Sequence, residues 1–282
     1  MKNDLSALTA LSADRQASGR RQVTFHFALC NLHLVIEGVL MQASLFYLLL
    51  LIHLIVDFMQ PAALVTWSKS NSWGLLVHSG IYAILNVVAL AFTPLWWLCA
   101  SIFGISHFIL DKIKITLNDK VPQASLPIFI LDQVIHIAII TLVFFLARLG
   151  VSEPLPKILE VMNYPRVLLY VVGYVAVTFG GSILVFEVSN YLEFDADSKK
   201  AISIKERYQG ILERAIAVTL ILLGHLSHLF LLATPLAFIL SLIQGKRVWQ
   251  SKGERAHFLL ELTTSVCLAF SAGIILYFTH PT

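Results

Sequence analysis

Three pairs of residues combine an imidazole with a carboxylate four positions apart: His53 with Asp57, His107 with Asp111, and Asp132 with His136. Each pair interrupts an otherwise apolar stretch. Residues four apart on an α-helix share a face, one turn from each other, so each pair presents both groups to the same neighbour. Chance placement of this chain's aspartates and histidines gives about 0.6 such pairs, so three is an excess. Ionisable groups at membrane depth are costly, and each is a candidate functional residue.

Chain direction adds depth to the pattern. The first and third apolar stretches run one way and carry His before Asp, whereas the fourth runs back and carries Asp before His. All three carboxylates then lie nearer one membrane face, with their imidazoles about 6 Å deeper. His78, early in the second stretch, reaches the same level. The expectation is a layer of four imidazoles beneath three carboxylates, with Gln60, Lys69, Lys112, Lys114 and Gln133 at the rim.

Such a donor set suits Zn²⁺, with Mn²⁺ or Fe²⁺ as alternatives. His53, His78, His107 and His136 are the candidate ligands. Asp57 and Asp111 are ligands or orienting carboxylates, and with Asp132, the candidate general base, they form the catalytic set. The rim residues suit an anionic group such as a lipid phosphate. Other readings of the same residues are a proton or ion pathway, polar contacts that only join helices, and haem ligation. The haem reading leaves three Asp partners unexplained.

The elements that must position these residues are membrane helices. Of 282 residues, 57% are apolar and only 13% charged, about half the charged share of a soluble domain, and mean hydropathy is +0.79. Between Leu45 and Trp97 the only charges are Asp57 and Lys69. The expected fold is an all-α polytopic bundle of seven or eight transmembrane helices, with spans near 42–58, 73–92, 95–111, 128–146, 167–186 and 258–278. The stretch 211–243 is a tight hairpin or one long helix broken around Gly224 and Pro235. Residues 1–40 form a polar or amphipathic tail, 41–150 the motif-bearing half, and 151–282 a C-terminal membrane half. The polar start has no signal-peptide pattern, and translation starting at Met41 is an alternative to a tail.

The net charge of +3 and the absence of a basic, aromatic face argue against nucleic acid. Twelve Lys and Arg flank the Asp ends of the spans, against seven at most on the other side, so the site is expected at the cytoplasmic face. Cys30, Cys99 and Cys267 lack metal or disulfide spacing. His225 with His228 suggests a turn at an interface. Glu193, Asp195 and Asp197 suggest a solvated loop, and Glu213-Arg214 an intrahelical pair or a contact to the His/Asp residues.

The series His53-x3-Asp57-Phe58-x-Gln60, Lys69, His78, His107-x3-Asp111 followed by Lys112 and Lys114, and Asp132-Gln133-x2-His136 resembles a bacterial family of polytopic membrane proteins of unknown function. The resemblance covers about residues 41–147 and extends weakly to Glu213-Arg214. That family opens with its His-x3-Asp-Phe helix near the start methionine, which implies Met41 as the core start. It carries Lys-Ser before a basic loop and Gly-Thr in its last helix. This chain instead has Gln244-Gly245-Lys246-Arg247 and Glu261-Leu262-Thr263. The resemblance implies a membrane fold and supplies no activity.

The residues themselves suggest a membrane-embedded metal-dependent hydrolase or transferase acting on a lipid-linked or headgroup-level substrate in the bacterial plasma membrane. The competing classes are an ion- or proton-coupled transporter and a non-catalytic subunit of a larger complex.

Overall fold

The computed structural model describes residues 43–149, 165–192, 204–248 and 252–279. The N-terminal tail, Met41, Cys30 and the acidic run 193–197 lie outside them. Every regular element among the described residues is helical.

Helix α1, Ala43–Phe58, stops at an elbow because Pro61 offers no backbone N–H and disfavours helix in the residue before it. The chain then bends by 82° into α2, Ala62–Ser70, a short helix that the sequence pattern did not suggest. Asn71 caps α3, Ser72–Leu90, accepting from the Trp73 N–H at 2.8 Å. The Thr93-Pro94 turn leads into α4, Trp96–Lys120, and a 3₁₀ turn at Pro122–Ala124 leads into α5, Ser125–Arg148.

The C-terminal half is less regular. Helix α6, Pro165–Val175, passes through a π-turn at Ala176–Gly180 into α7, Gly181–Leu192. Helix α8, Ile204–Leu223, breaks at Gly224. The chain returns through α9, His228–Ala233, a 3₁₀ turn at Thr234–Phe238, and α10, Ile239–Val248. Ser241 on the return arm donates to Glu213 on α8, from its backbone N–H at 2.9 Å and its hydroxyl at 2.6 Å, so the hairpin form of this stretch is the one adopted. Helix α11, Lys252–Phe278, completes the described chain.

Four helices are long and apolar enough to cross a membrane: Ser72–Leu90, Pro122–Arg148, Pro165–Tyr191 and Arg255–Phe278. Counting the bent pair α1 and α2 as one span makes five. The expected seven or eight would add α4 and α8, which carry several charges each, and the α9–α10 arm, which is broken at Pro235. The outward faces are aliphatic: Ile84, Val88, Ile105, Leu131, Val134 and Phe145 are all more than half exposed. A soluble surface does not present such a continuous apolar coat.

Inside, α1, α3, α4 and α5 share one core. Leu45, Leu49, Ile52 and Val56 meet Tyr82, Leu90, Cys99, Phe103, Ile140 and Val143. The buried stripe of each helix changes from apolar to polar toward one end. On α4 it reads Cys99, Phe103, His107, Asp111, and on α5, in reverse, Val143, Ile140, His136, Asp132. Helical periodicity therefore aims every pair into the bundle, since the polar residues occupy core positions.

Two contacts fix the elbow. Arg207 on α8 donates to the Phe58 carbonyl at 3.0 Å, satisfying a helix-end acceptor that Pro61 cannot serve. Gly74 lets α2 lie directly on α3, because a Cβ there would stand 2.5 Å from the Trp67 carbonyl oxygen and 2.8 Å from the Ser68 nitrogen. Both obstacles are backbone, so Gly74→Ala is expected to destabilise the fold by about 1–3 kcal/mol, as overpacking does. Thermal unfolding in detergent checks this, and an unchanged midpoint would mean α2 is not packed as described.

Candidate metal centre

The helices bring six of the paired residues and His78 into one buried cluster. His53, His107 and His136 are 1%, 0% and 2% exposed, so these imidazoles make their contacts within the protein. The Nδ1 of His107 lies 2.9 Å from the Nε2 of His136, and the Nε2 of His107 lies 2.9 Å from the Nε2 of His78. The carboxylates close in from the elbow side. Asp57 Oδ1 and Asp111 Oδ2 stand 3.4 and 3.5 Å from His107 Nε2, and Asp111 Oδ2 is 3.2 Å from His78 Nε2. Three groups have donor atoms within 4.8 Å of one another and could hold a metal ion: His53, His107 and His136; Asp57, His78 and His107; and Asp57, Asp132 and His136.

Hydrogen-bond partners settle which ring nitrogens carry protons. His136 Nδ1 faces the Asp132 backbone carbonyl at 2.9 Å, an acceptor only, so that nitrogen donates and a neutral His136 keeps its lone pair on Nε2. His107 Nδ1 donates into that lone pair, which leaves the lone pair of His107 on Nε2. His78 Nδ1 donates to Gln60 Oε1 at 2.8 Å, which leaves the His78 lone pair on Nε2 as well. The two free lone pairs thus face each other at 2.9 Å, with two carboxylate oxygens beside them. Two lone pairs at that distance repel unless a cation or proton lies between them.

The remaining members stand behind these four atoms. Gln133 donates to Asp132 Oδ2 at 3.0 Å and so turns its amide oxygen toward His53 Nε2, 3.3 Å away. His53 stacks on His136 with ring centroids 4.8 Å apart, and its Nε2 is 3.8 Å from Asp57 Oδ2. Lys114 pairs with Asp132 at 2.6 Å instead of lying free at the rim. Lys112 is exposed and reaches Ser72 Oγ at 3.5 Å, and Lys69 is exposed on α2. Asp57 and Asp111 face imidazoles, and no lysine or arginine forms an ion pair with them among the described residues.

Glu213-Arg214 does not reach this cluster, nor do the two residues pair with each other. Arg214 is buried and donates to Val177 O at 2.8 Å, Thr178 O at 3.0 Å, Ser182 Oγ at 2.6 Å and Ser265 Oγ at 2.9 Å. It thereby satisfies carbonyls in the π-turn, where the regular ladder is interrupted. One polar group went unnoticed in the sequence: Ser189 Oγ lies 2.7 Å from His257 Nε2 and 3.4 Å from Glu261 Oε1, with that oxygen 3.5 Å from His257 Nδ1. The carboxylate sits close to the serine instead of across the imidazole from it, so this is not a nucleophile–base–acid relay.

Over residues 45–162 the chain is similar to a protein family described as a protein of unknown function (DUF3307). That stretch contains every residue of the His/Asp cluster. No curated protein and no solved structure matches the chain.

Residues behind a metal's donors typically tune affinity by 10- to 100-fold. Gln60→Ala is accordingly expected to weaken divalent-metal binding by about that factor. Gln60→Glu, which keeps an acceptor for His78 Nδ1, should retain most of it. Competition with a chelating indicator measures both, and equal loss in the two variants would show that Gln60 does not act through His78.

Proposed function

We propose that the protein binds one divalent metal through His78 Nε2, His107 Nε2, Asp57 Oδ1 and Asp111 Oδ2. The observation that carries this reading is the convergence of two lone-pair nitrogens and two carboxylate oxygens, separated by 2.9–3.5 Å where they meet. Donors bound tetrahedrally at zinc distances stand about 3.3 Å apart, so the spacing fits such an ion without rearrangement. Charge fits too: a dication balances two carboxylates that have no basic partner, which a membrane interior otherwise penalises. Zinc suits the four-donor arrangement, and manganese or iron would use the same atoms with positions to spare.

The activity this site supports best is metal-dependent hydrolysis or group transfer on a lipid-linked or headgroup-level substrate. A bound metal would act as a Lewis acid toward the scissile group. The protein's own groups set the rest. His136 and Gln60 orient the two ligand imidazoles, Asp132 is held by Lys114 and Gln133, and exposed Lys69 and Lys112 are placed to receive an anionic headgroup. The side chains of His78, Asp57 and Asp111 retain 10%, 7% and 13% exposure while His107 has none, which supports access from the carboxylate side. We place that side at the cytoplasmic face of a bacterial plasma membrane, in a bundle of seven or eight spans, on the distribution of Lys and Arg.

The test is elemental analysis of detergent-purified protein, wild type beside His107→Ala and Asp57→Asn. One equivalent of zinc, manganese or iron in the wild type and none in either variant is the expected result, followed by assays on lipid-phosphate substrates. Folded wild type without tightly bound metal would overturn the reading and favour transport, to be examined by ion and proton flux in proteoliposomes.

A further inference from the structure

Beneath the His/Asp layer, the seam between α1 and α3 holds polar atoms that none of the protein's own groups satisfies. Ser79 Oγ, Tyr82 Oη, Asn86 Oδ1 and His53 Nδ1 are all fully buried without a hydrogen-bond partner. Their side chains belong to residues only 2%, 1%, 0% and 1% exposed. Ser79, Tyr82 and Asn86 follow i, i+3, i+7 spacing, so they line one face of α3. His53 of α1 lies across from them, its ring centroid 6.0 Å from that of Tyr82. The orientation of two members is fixed. Asn86 Nδ2 donates to the Tyr82 carbonyl at 2.8 Å, which turns Oδ1 into the seam, and His53 meets Gln133 through Nε2, which leaves Nδ1 facing inward.

Groups of this kind are found paired in folded proteins, and a protein's buried polar atoms are completed by ordered water when no side chain reaches them. Buried water makes about three hydrogen bonds, so four convergent groups suffice for one or two molecules. We infer that this seam binds internal water and forms a blind, hydrated half-channel running inward from the His/Asp layer. It reaches Asn86, about 12 Å further along α3 than His78. Beyond Asn86 the seam closes on the buried apolar side chains Leu45, Ala89 and Leu90. The inference stands apart from metal binding, because none of its four atoms is a proposed donor. If the metal reading holds as well, this water lies on the inner side of the site and stays available when a lipid covers the outer mouth.

Hydroxyl-radical footprinting by brief X-ray radiolysis of the full chain in lipid nanodiscs tests the inference, because radicals form from water bound beside a buried side chain. Phe103 is a control in the same core: it is 0% exposed, and its ring centroid lies 5.3 Å from that of Tyr82. After correction for intrinsic reactivity, Tyr82 should be modified several-fold faster than Phe103, in metal-loaded and chelator-treated protein alike. Asn86→Leu should reduce the Tyr82 rate and lower the unfolding midpoint. Tyr82 labelling no faster than Phe103, or an Asn86→Leu variant that is more stable with unchanged labelling, would show a dry seam and overturn the proposal. Loss of metal binding with Tyr82 still labelled would remove the enzyme reading and leave the half-channel standing.

Discussion

In His107→Ala, divalent metal retained through purification falls to background, and affinity drops by more than the roughly 100-fold that changes behind a ligand produce. His107 is the side chain on which the site converges. One ring nitrogen meets His78 and both carboxylates, and the other meets His136. The contrasting variant is His136→Gln. A glutamine oxygen can accept from His107 Nδ1 as His136 Nε2 does, so metal affinity should stay within about 10-fold of wild type. Chelator competition on both variants, after size-exclusion chromatography to confirm folding, separates ligand from support. Equal and complete loss in His136→Gln would make His136 a donor itself and displace the proposed ligand set.

The second large effect lies outside the metal centre. Arg214→Ala is expected to destabilise the protein by about 3–5 kcal/mol, the range found when one partner of a buried charged network is removed. The guanidinium serves two π-turn carbonyls and two serine hydroxyls at once, and its loss leaves all four buried without it. Arg214→Lys should recover little, because an ammonium on a flexible stem cannot reproduce the planar fork. A Cβ at Gly210 or Gly181 would already stand 3.1 or 3.3 Å from this side chain, so the pocket has no slack for a relocated group. Thermal unfolding followed by tryptophan fluorescence gives the result, and an alanine variant with an unchanged midpoint would sink the argument.

The paired spacing and its reversal on α5 were enough to place His53, His107 and His136 together, because helix periodicity and antiparallel direction are both written along a single chain. What each ring nitrogen does was not legible there. The split between His78 and His107 as inward-facing donors and His136 as support depends on Gln60 and on one backbone carbonyl, and both are matters of helix rotation within fractions of a turn. Lys114 read as a rim cation because sequence shows its depth but not the carboxylate across the gap. Arg214 was equally hidden, since its partners exist only where α6 and α7 abandon regular helix, and no residue type announces a π-turn. The elbow at Pro61 was foreseeable as a stop, whereas the 82° course of α2 follows from Gly74, whose missing side chain permits backbone contact.

The hydrogen bond from Arg207 to the Phe58 carbonyl has a consequence for how the molecule is made. All donors of the cluster lie between positions 53 and 136, so the ribosome has delivered every one of them by the time α5 emerges. Arg207 arrives about 70 residues later, several seconds at ordinary synthesis rates. The cluster can therefore assemble first, and the late-arriving arginine then clasps the carbonyl adjacent to Asp57, so the order of synthesis matches an order of assembly in which the C-terminal half locks a centre already built.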